Sequence, residues 1–184
     1  MSCCWTRKPA STWRNGICDL SLTIARAAPA DIGELAAVAA QTFPLACPPS
    51  VSAENIASFV AANLSAERFA EYLTDPRRTI LAARLDGRII GYAMLIRDED
   101  SADAELSKVY LSADQHGSGA AAALMEHALA DATESGARRV WLGVNQKNQR
   151  AQRFYSKHGF TVDGTRTFRL GDHLEHDYVM AREL

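Results

Sequence analysis

Residues 114–125 read DQHGSGAAAALM, a glycine-bracketed stretch able to bind an anion. His116, Gly117, Ser118 and Gly119 form a turn, and Ala120, Ala121 and Ala122 open the helix expected to follow. Glycine accepts positive φ and lets a ligand approach the backbone closely. The first turn of a helix presents unpaired N–H groups and the positive end of its dipole, which suits an anion. No lysine or arginine lies between Gly117 and Ala122, so backbone donors must carry the binding, and the small alanine side chains leave them open. A pyrophosphate needs just such a surface. A Walker-type loop is excluded because no G-K-[ST] closes the turn, and a Rossmann turn because the third glycine and the ribose-binding acid are missing.

A second group lies 23 residues beyond Met125, in the run NQRAQRFYSKHGF over 148–160. Asn148 and Tyr155 are seven apart, so a helix over 148–158 puts them on one face, two turns apart. Ala151, Phe154 and His158 make an adjacent, more apolar face suited to packing on a sheet. By itself Tyr155 reads as a core tyrosine whose hydroxyl finds a partner.

The elements that must hold these groups follow from the pattern. Residues 20–27 alternate apolar and polar as a half-buried strand does. Asp31 is placed to cap a helix with Ile32, Leu35, Val38 and Ala39 on its stripe. Pro44, Pro48 and Pro49 are expected to break the chain after it. Short helices follow over 52–63, with Ile56, Phe59 and Val60 as its stripe, and over 65–73, with Phe69, Tyr72 and Leu73. Residues 79–85 and 88–96 around Asp86-Gly87 form the clearest hairpin. An acidic loop over 98–103 precedes a strand over 105–111 that runs into the glycine turn. A helix to about residue 135 stops at Gly136, and a strand covers 139–144. After the helix over 148–158, a strand starts at 159–160; further strand is expected around 166–170 and over 177–181, across a Gly171-Asp172 turn. The order is β, α, α, α, β, β, β, α, β, α, β, β. Hairpins beside β-α-β units imply an α+β fold, its mixed, mostly antiparallel sheet flanked by helices, rather than a doubly wound one.

A chain of 184 residues, 47% hydrophobic, is long enough for one domain with a sizeable core and short for two. Residues 20–184 are read as that domain and residues 1–19 as a disordered extension, without the apolar run of a secretory signal. A net charge of −2 gives no electrostatic case for a nucleic-acid or membrane partner. No apolar run reaches the roughly 18 residues that span a bilayer. Cys3, Cys4, Cys18 and Cys47 have neither C-x-x-C spacing nor a nearby histidine. Neither a metal site nor a disulfide framework is expected, and a cytoplasmic location is the corresponding expectation.

The glycine turn and N-x-x-A-x-x-F-Y-x-x-x-G-F, in this order and with V-W-L-G-V before the second, resemble the two cofactor-binding motifs of the GNAT acyltransferases. The element order over about residues 20–184 is similar to the GNAT fold. The resemblance implies acetyl-CoA as co-substrate, its pyrophosphate on residues 116–122. The family carries Gln or Arg where this chain has His116, so weaker cofactor affinity is expected. The resemblance places Asn148 on the pantetheine or pyrophosphate arm and the Tyr155 hydroxyl opposite the sulfur. It also implies that the strand before the turn splays at a bulge, where backbone groups of Val109, Tyr110 and Leu111 hold the thioester and pantetheine. An N–H there polarises the thioester carbonyl.

A tyrosine of pKa roughly 10 passing its proton to a thiolate of roughly 8.5 works uphill by about 2 kcal/mol. Tyr155 is therefore expected to donate a hydrogen bond as the C–S bond breaks. A primary amine of pKa roughly 10.4 is neutral in about one molecule in 2,500 at pH 7, so something must take its proton. Glu105 is the candidate base, with a water chain as the alternative. No cysteine is expected to carry an acyl group, because all four lie before residue 48, away from both motifs. The acidic loop at Asp98, Glu99, Asp100 and Asp103 could attract a cation. The runs ENIASFVAANLSAERFAEYL and FRLGDHLEHDYVMAREL look like the bacterial polyamine-acetylating branch, which makes a small primary amine the expected acceptor. A protein N-terminus or lysine is the alternative acceptor, and a non-catalytic acetyl-CoA sensor the rival from another class. A homodimer is a family-level expectation only.

Overall fold

The computed structural model describes residues 21–49, 51–98, 100–170 and 173–184, apart from the side chains at 168, 170 and 173. The expectations for residues 1–19, for Cys3, Cys4 and Cys18, for Glu99 and for the Gly171-Asp172 turn lie outside the described residues.

One sheet of seven strands carries the molecule, in the order β1-β2-β3-β4-β5-β7-β6. β1 (Leu22–Arg26), β2 (Arg78–Leu85), β3 (Arg88–Arg97) and β4 (Asp103–Leu111) pair antiparallel. The Asp86-Gly87 turn has positive φ at both residues, the two-residue hairpin geometry that its sequence demands. β5 (Arg139–Asn145) runs parallel to β4; β7 (His173–Glu183) and β6 (Thr161–Leu170) complete the sheet antiparallel. The expected order of elements is the observed one. Residues 161–170 are one strand rather than two pieces, with a register shift between Val162 and Gly164.

Two apolar clusters cover the two faces. α4 (Ala120–Glu134) lays Leu124, Met125, Ala128 and Leu129 on Leu95, Leu106, Val140 and Leu142, and α5 (Gln149–Lys157) adds Ala151, Phe154 and Tyr155 at the margin. On the other face α1 (Ile32–Ala46) and α3 (Ala66–Thr74) bury Leu35, Phe43, Phe69 and Tyr72 against Ile80, Tyr92 and Met94. α2 (Ala53–Asn63) buries no residue completely; Ile56, Phe59 and Val60 are half-covered. Its N-terminus is capped by Ser52, whose Oγ accepts from Asn55 N–H at 3.2 Å, and Ser65 does the same for α3.

Two local expectations fail. Pro44 does not break the chain: it lies inside α1, where the lost N–H falls in the last turn and only two residues remain. Asp31 does not cap α1 with its side chain. It accepts the Ala28 N–H at 2.7 Å and pairs with Arg84 at 2.6 Å, so its carboxylate fastens the preceding turn to β2.

Candidate active site

β4 and β5 share only three pairs, ending at Glu105↔Trp141. Opposite β3, the register slips between Met94↔Lys108 and Leu95↔Leu106, leaving Ser107 as an extra residue in β4. A bulge bends its strand, and beyond it β4 leaves β5. Residues 106–111 and 142–145 then face each other across a gap, which opens into a cleft of about 430 Å³. Val109 and Tyr110 line it, and Leu111 is buried at the end of the strand. The bulge, which only the family resemblance implied, therefore sits between Glu105 and Val109. A wider hollow of about 820 Å³ lies against α4 and the end of α5. Its Arg139 pairs with Asp163 and Glu183, and of the two motifs only the tail of the second, at Lys157, His158 and Gly159, reaches it.

The glycine turn follows the end of β4, and none of its residues is among those that line the cleft. Gly117 has φ 88° and Gly119 φ 89°, and a Cβ at either would meet nothing within 4 Å. The turn is open on its outer side. Gly119 precedes α4, whose first backbone bond is Ala123 N–H to Gly119 O at 3.0 Å. The N–H of Ala120 goes to Ser118 Oγ at 3.3 Å, while those of Ala121 and Ala122 belong to the unpaired first turn. These features fit a pyrophosphate held by backbone. His116 is exposed at the end of a short 3₁₀ turn, its own N–H bonded to Ala113 O.

Tyr155 and Asn148 line the cleft together, though not as the helical spacing implied. Asn148 precedes α5 and caps it, its Oδ1 accepting from Ala151 N–H at 3.0 Å, which leaves the Nδ2 amide as its available group. Tyr155 is half-buried between Phe154 and Phe160. Burial pushes its hydroxyl up to about 12, so it remains a donor at any neutral pH. The Tyr155 hydroxyl has no hydrogen-bond partner among the described residues.

Charge gathers on the opposite wall. Glu105, Glu175 and Asp177 line the cleft with Lys108 and Arg166. Asn145 donates to Glu175 at 3.1 Å and Lys147 pairs with it at 3.4 Å. Burial raises Asp177 above the usual carboxylate range, and the neighbouring Arg166 opposes that shift. Lys108 falls to about 8, first through burial and then through repulsion from Arg78. Phe43 and Phe59, stacked at 4.5 Å, form an aromatic side to the same cleft.

The acceptor side is where sequence reasoning missed most. Arg166, Glu175, Asp177 and Lys108 come from three strands, with no motif spacing to announce them. Cys47 corrects the ground of one expectation and not the expectation itself: it lines the cleft despite its distance in sequence from both motifs. Its thiol, pushed up to about 11 chiefly by burial, donates weakly to Phe43 O at 3.4 Å and is no thiolate. The described residues of the acidic loop, by contrast, do not line the cleft. Asp98 accepts from Asp100 N–H and Ser101 Oγ, and Asp103 pairs with Arg139.

The sequence pattern of the acetyltransferase (GNAT) family matches residues 45–160, a span that holds the bulge, the glycine turn and Tyr155. The chain belongs to this family. It is an acetyl-CoA-dependent N-acetyltransferase of the GNAT type. Relatives of 73% identity over 154 residues are uncharacterized N-acetyltransferases of Mycobacterium bovis and Mycobacterium tuberculosis, covering 84% of this chain and 98% of each relative. Among solved structures, the PaiA N-acetyltransferase of Thermoplasma acidophilum in complex with coenzyme A superposes with a TM-score of 0.78. It is 23% identical and covers 90% of this chain and 100% of its own. The ribosomal-protein-S18-alanine N-acetyltransferase of Escherichia coli gives a TM-score of 0.68 at 19% identity, over 89% and 94% of the two chains. At these identities the structural likeness concerns the GNAT fold. No helix among the described residues is long and apolar enough to cross a membrane.

Proposed function

We propose that this acetyltransferase moves an acetyl group from acetyl-CoA to a small primary amine, a polyamine first, by direct attack in a ternary complex. The observation that carries the reading is the two-sided cleft: Tyr155 and Asn148 of the α5 segment line it from one face of the sheet, and three carboxylates of β4 and β7 from the other. Acetyl-CoA supplies the activated acyl group as a thioester. Backbone N–H groups of Gly119, Ala121 and Ala122 would hold its pyrophosphate, and the Asn148 amide its pantetheine arm. Beyond Glu105 the β4 backbone keeps its β3 partners but has none on the β5 side, and an N–H turned to that side at Val109 or Tyr110 would polarise the carbonyl under attack. Glu105 takes the proton of the incoming ammonium, and Tyr155 donates a hydrogen bond to the departing sulfur. The carboxylates of the acceptor wall draw an ammonium, and the Phe43–Phe59 pair suits its alkyl chain. Holding both reactants in one cleft supplies much of the acceleration.

The test is thiol release from acetyl-CoA with polyamines, amino acids and short peptides, run beside Tyr155→Phe. The expected result is turnover with one class of amine, with kcat about 10²-fold lower in the variant. Turnover confined to peptides would replace the small amine by a protein acceptor, and binding without any turnover would favour a sensor.

A further inference from the structure

Arg166 belongs to β6, the edge strand, yet its guanidinium lies two strands in. It passes Asp177 of β7, Nε to Oδ2 at 3.4 Å, and ends with Nη1 3.7 Å from Glu105 Oε1. Its seat is the bare backbone of Gly143 on β5. A Cβ there would stand 2.1 Å from Nη2 and 2.3 Å from Cζ, so no larger residue leaves room for the guanidinium. The Trp141 ring flanks it, its centroid 5.6 Å from Cζ. Glu105 and Trp141 are the last pair before β4 and β5 part. The guanidinium therefore sits at the vertex of the cleft.

We infer that Arg166 occupies the subsite of the acceptor's cation and competes with it, so that amine binding pushes the guanidinium off Gly143. The inference rests on the amine acceptor proposed above. The carboxylates that would draw an ammonium to the vertex, Glu105 and Asp177, are those that Arg166 already faces. Its hold on them is loose: one hydrogen bond of 3.4 Å, one ion pair of 3.7 Å, and a side chain 36% exposed. Ion pairs of this length and exposure contribute little, so shape at Gly143 holds the group more than charge does. An edge strand also gives a long side chain open space on its outer side to swing into. A cation already in the subsite sets amine affinity below what the carboxylates alone would give. Arg166 is thus a specificity-determining residue that acts by occupation.

The experiment measures KM and kcat for spermidine and for butylamine in the wild type, Arg166→Gln, Arg166→Lys and Gly143→Ala. Gly143→Ala keeps the charge and removes the seat, so it tests occupation separately from charge. Arg166→Gln and Gly143→Ala are expected to lower the amine KM about three- to tenfold, with kcat moved less and Arg166→Lys close to wild type. A raised KM, or a kcat that collapses in Arg166→Gln and returns in Arg166→Lys, would overturn the inference by making the guanidinium a fixed part of the site. A second readout needs no turnover. Spermidine should change the Trp141 emission of the wild type as the guanidinium leaves the ring, and not that of Arg166→Gln, with Trp141→Phe as the blank. If no amine is turned over but this change appears, occupation stands and the proposed transfer to amines falls. If amines are turned over while neither KM nor the emission moves, occupation falls and the transfer stands; if nothing binds or reacts, both fall.

Discussion

The two sides of the cleft are built from different materials. The donor side is mostly backbone: two glycines at positive φ, a helix N-terminus and a strand released from its neighbour, with His116 standing exposed beside them. The acceptor side is side chain throughout, with Glu105, Lys108, Arg166, Glu175 and Asp177 drawn from β4, β6 and β7. A backbone site constrains conformation and tolerates nearly any side chain that stays out of the way. A side-chain site constrains identity, and each member can change without disturbing the chain path. The contrast explains why acceptor chemistry can vary on a constant donor scaffold.

The sharpest way to break this comparison is at Glu105. Glu105→Gln is expected to lower kcat/KM for a primary amine by about 10²-fold at pH 7, the loss shrinking as pH nears the amine's own pKa of roughly 10.4. A pH–rate profile that keeps its shape in the variant would assign the proton to water instead. Next comes Gly119→Ala. The left-handed conformation costs a residue with a Cβ about 1–2 kcal/mol, so the free turn should relax out of it and acetyl-CoA, which must restore it, should bind about tenfold more weakly, read by calorimetry, although no atom is in the way.

Lys108→Met should stabilise the fold at pH 7 by about 1–2 kcal/mol, because the charged form is the one that folding disfavours. The sign follows from a folded pKa near 8, below the unfolded 10.5. The penalty is fully present below pH 8 and is relieved as pH rises toward 10.5, so urea denaturation at pH 10.5 should show much less gain. Smallest of all, His116→Ala should change acetyl-CoA affinity by about threefold or less, the worth of one exposed hydrogen bond. A larger loss would show that this side chain, not backbone alone, serves the donor side.

The same contrast decides what could be read in advance. Gly117, Gly119 and the alanines after them are legible because a backbone site leaves its mark as residue types at fixed spacing. The hairpin at Asp86-Gly87 is legible for the same reason. Arg166 and Asp177 meet only because β6 and β7 pair in one register, and Gly143 matters only once Arg166 lies on it. Cys47 reaches the cleft because α1 continues through Pro44 and brings its end beside β4. Asn148 entered the site as a cap rather than as a helical residue, a difference of one position that spacing cannot resolve. The bulge at Ser107 arises from register between strands, which no local pattern encodes.

The seam between β4 and β5 has a consequence beyond catalysis. With three pairs across it, the sheet as a hydrogen-bonded fabric is nearly two pieces, one from β1 to β4 and one from β5 to β6. What unites them is the apolar cluster under α4 and α5, to which Leu81, Ala93 and Leu106 contribute from one piece and Val140, Leu142, Phe160 and Met180 from the other. Cooperative unfolding therefore depends on that cluster, which acts as a splint across the break beside the Arg139–Asp103 ion pair. Amide exchange should register a loosening of that splint before the ladder within either piece opens.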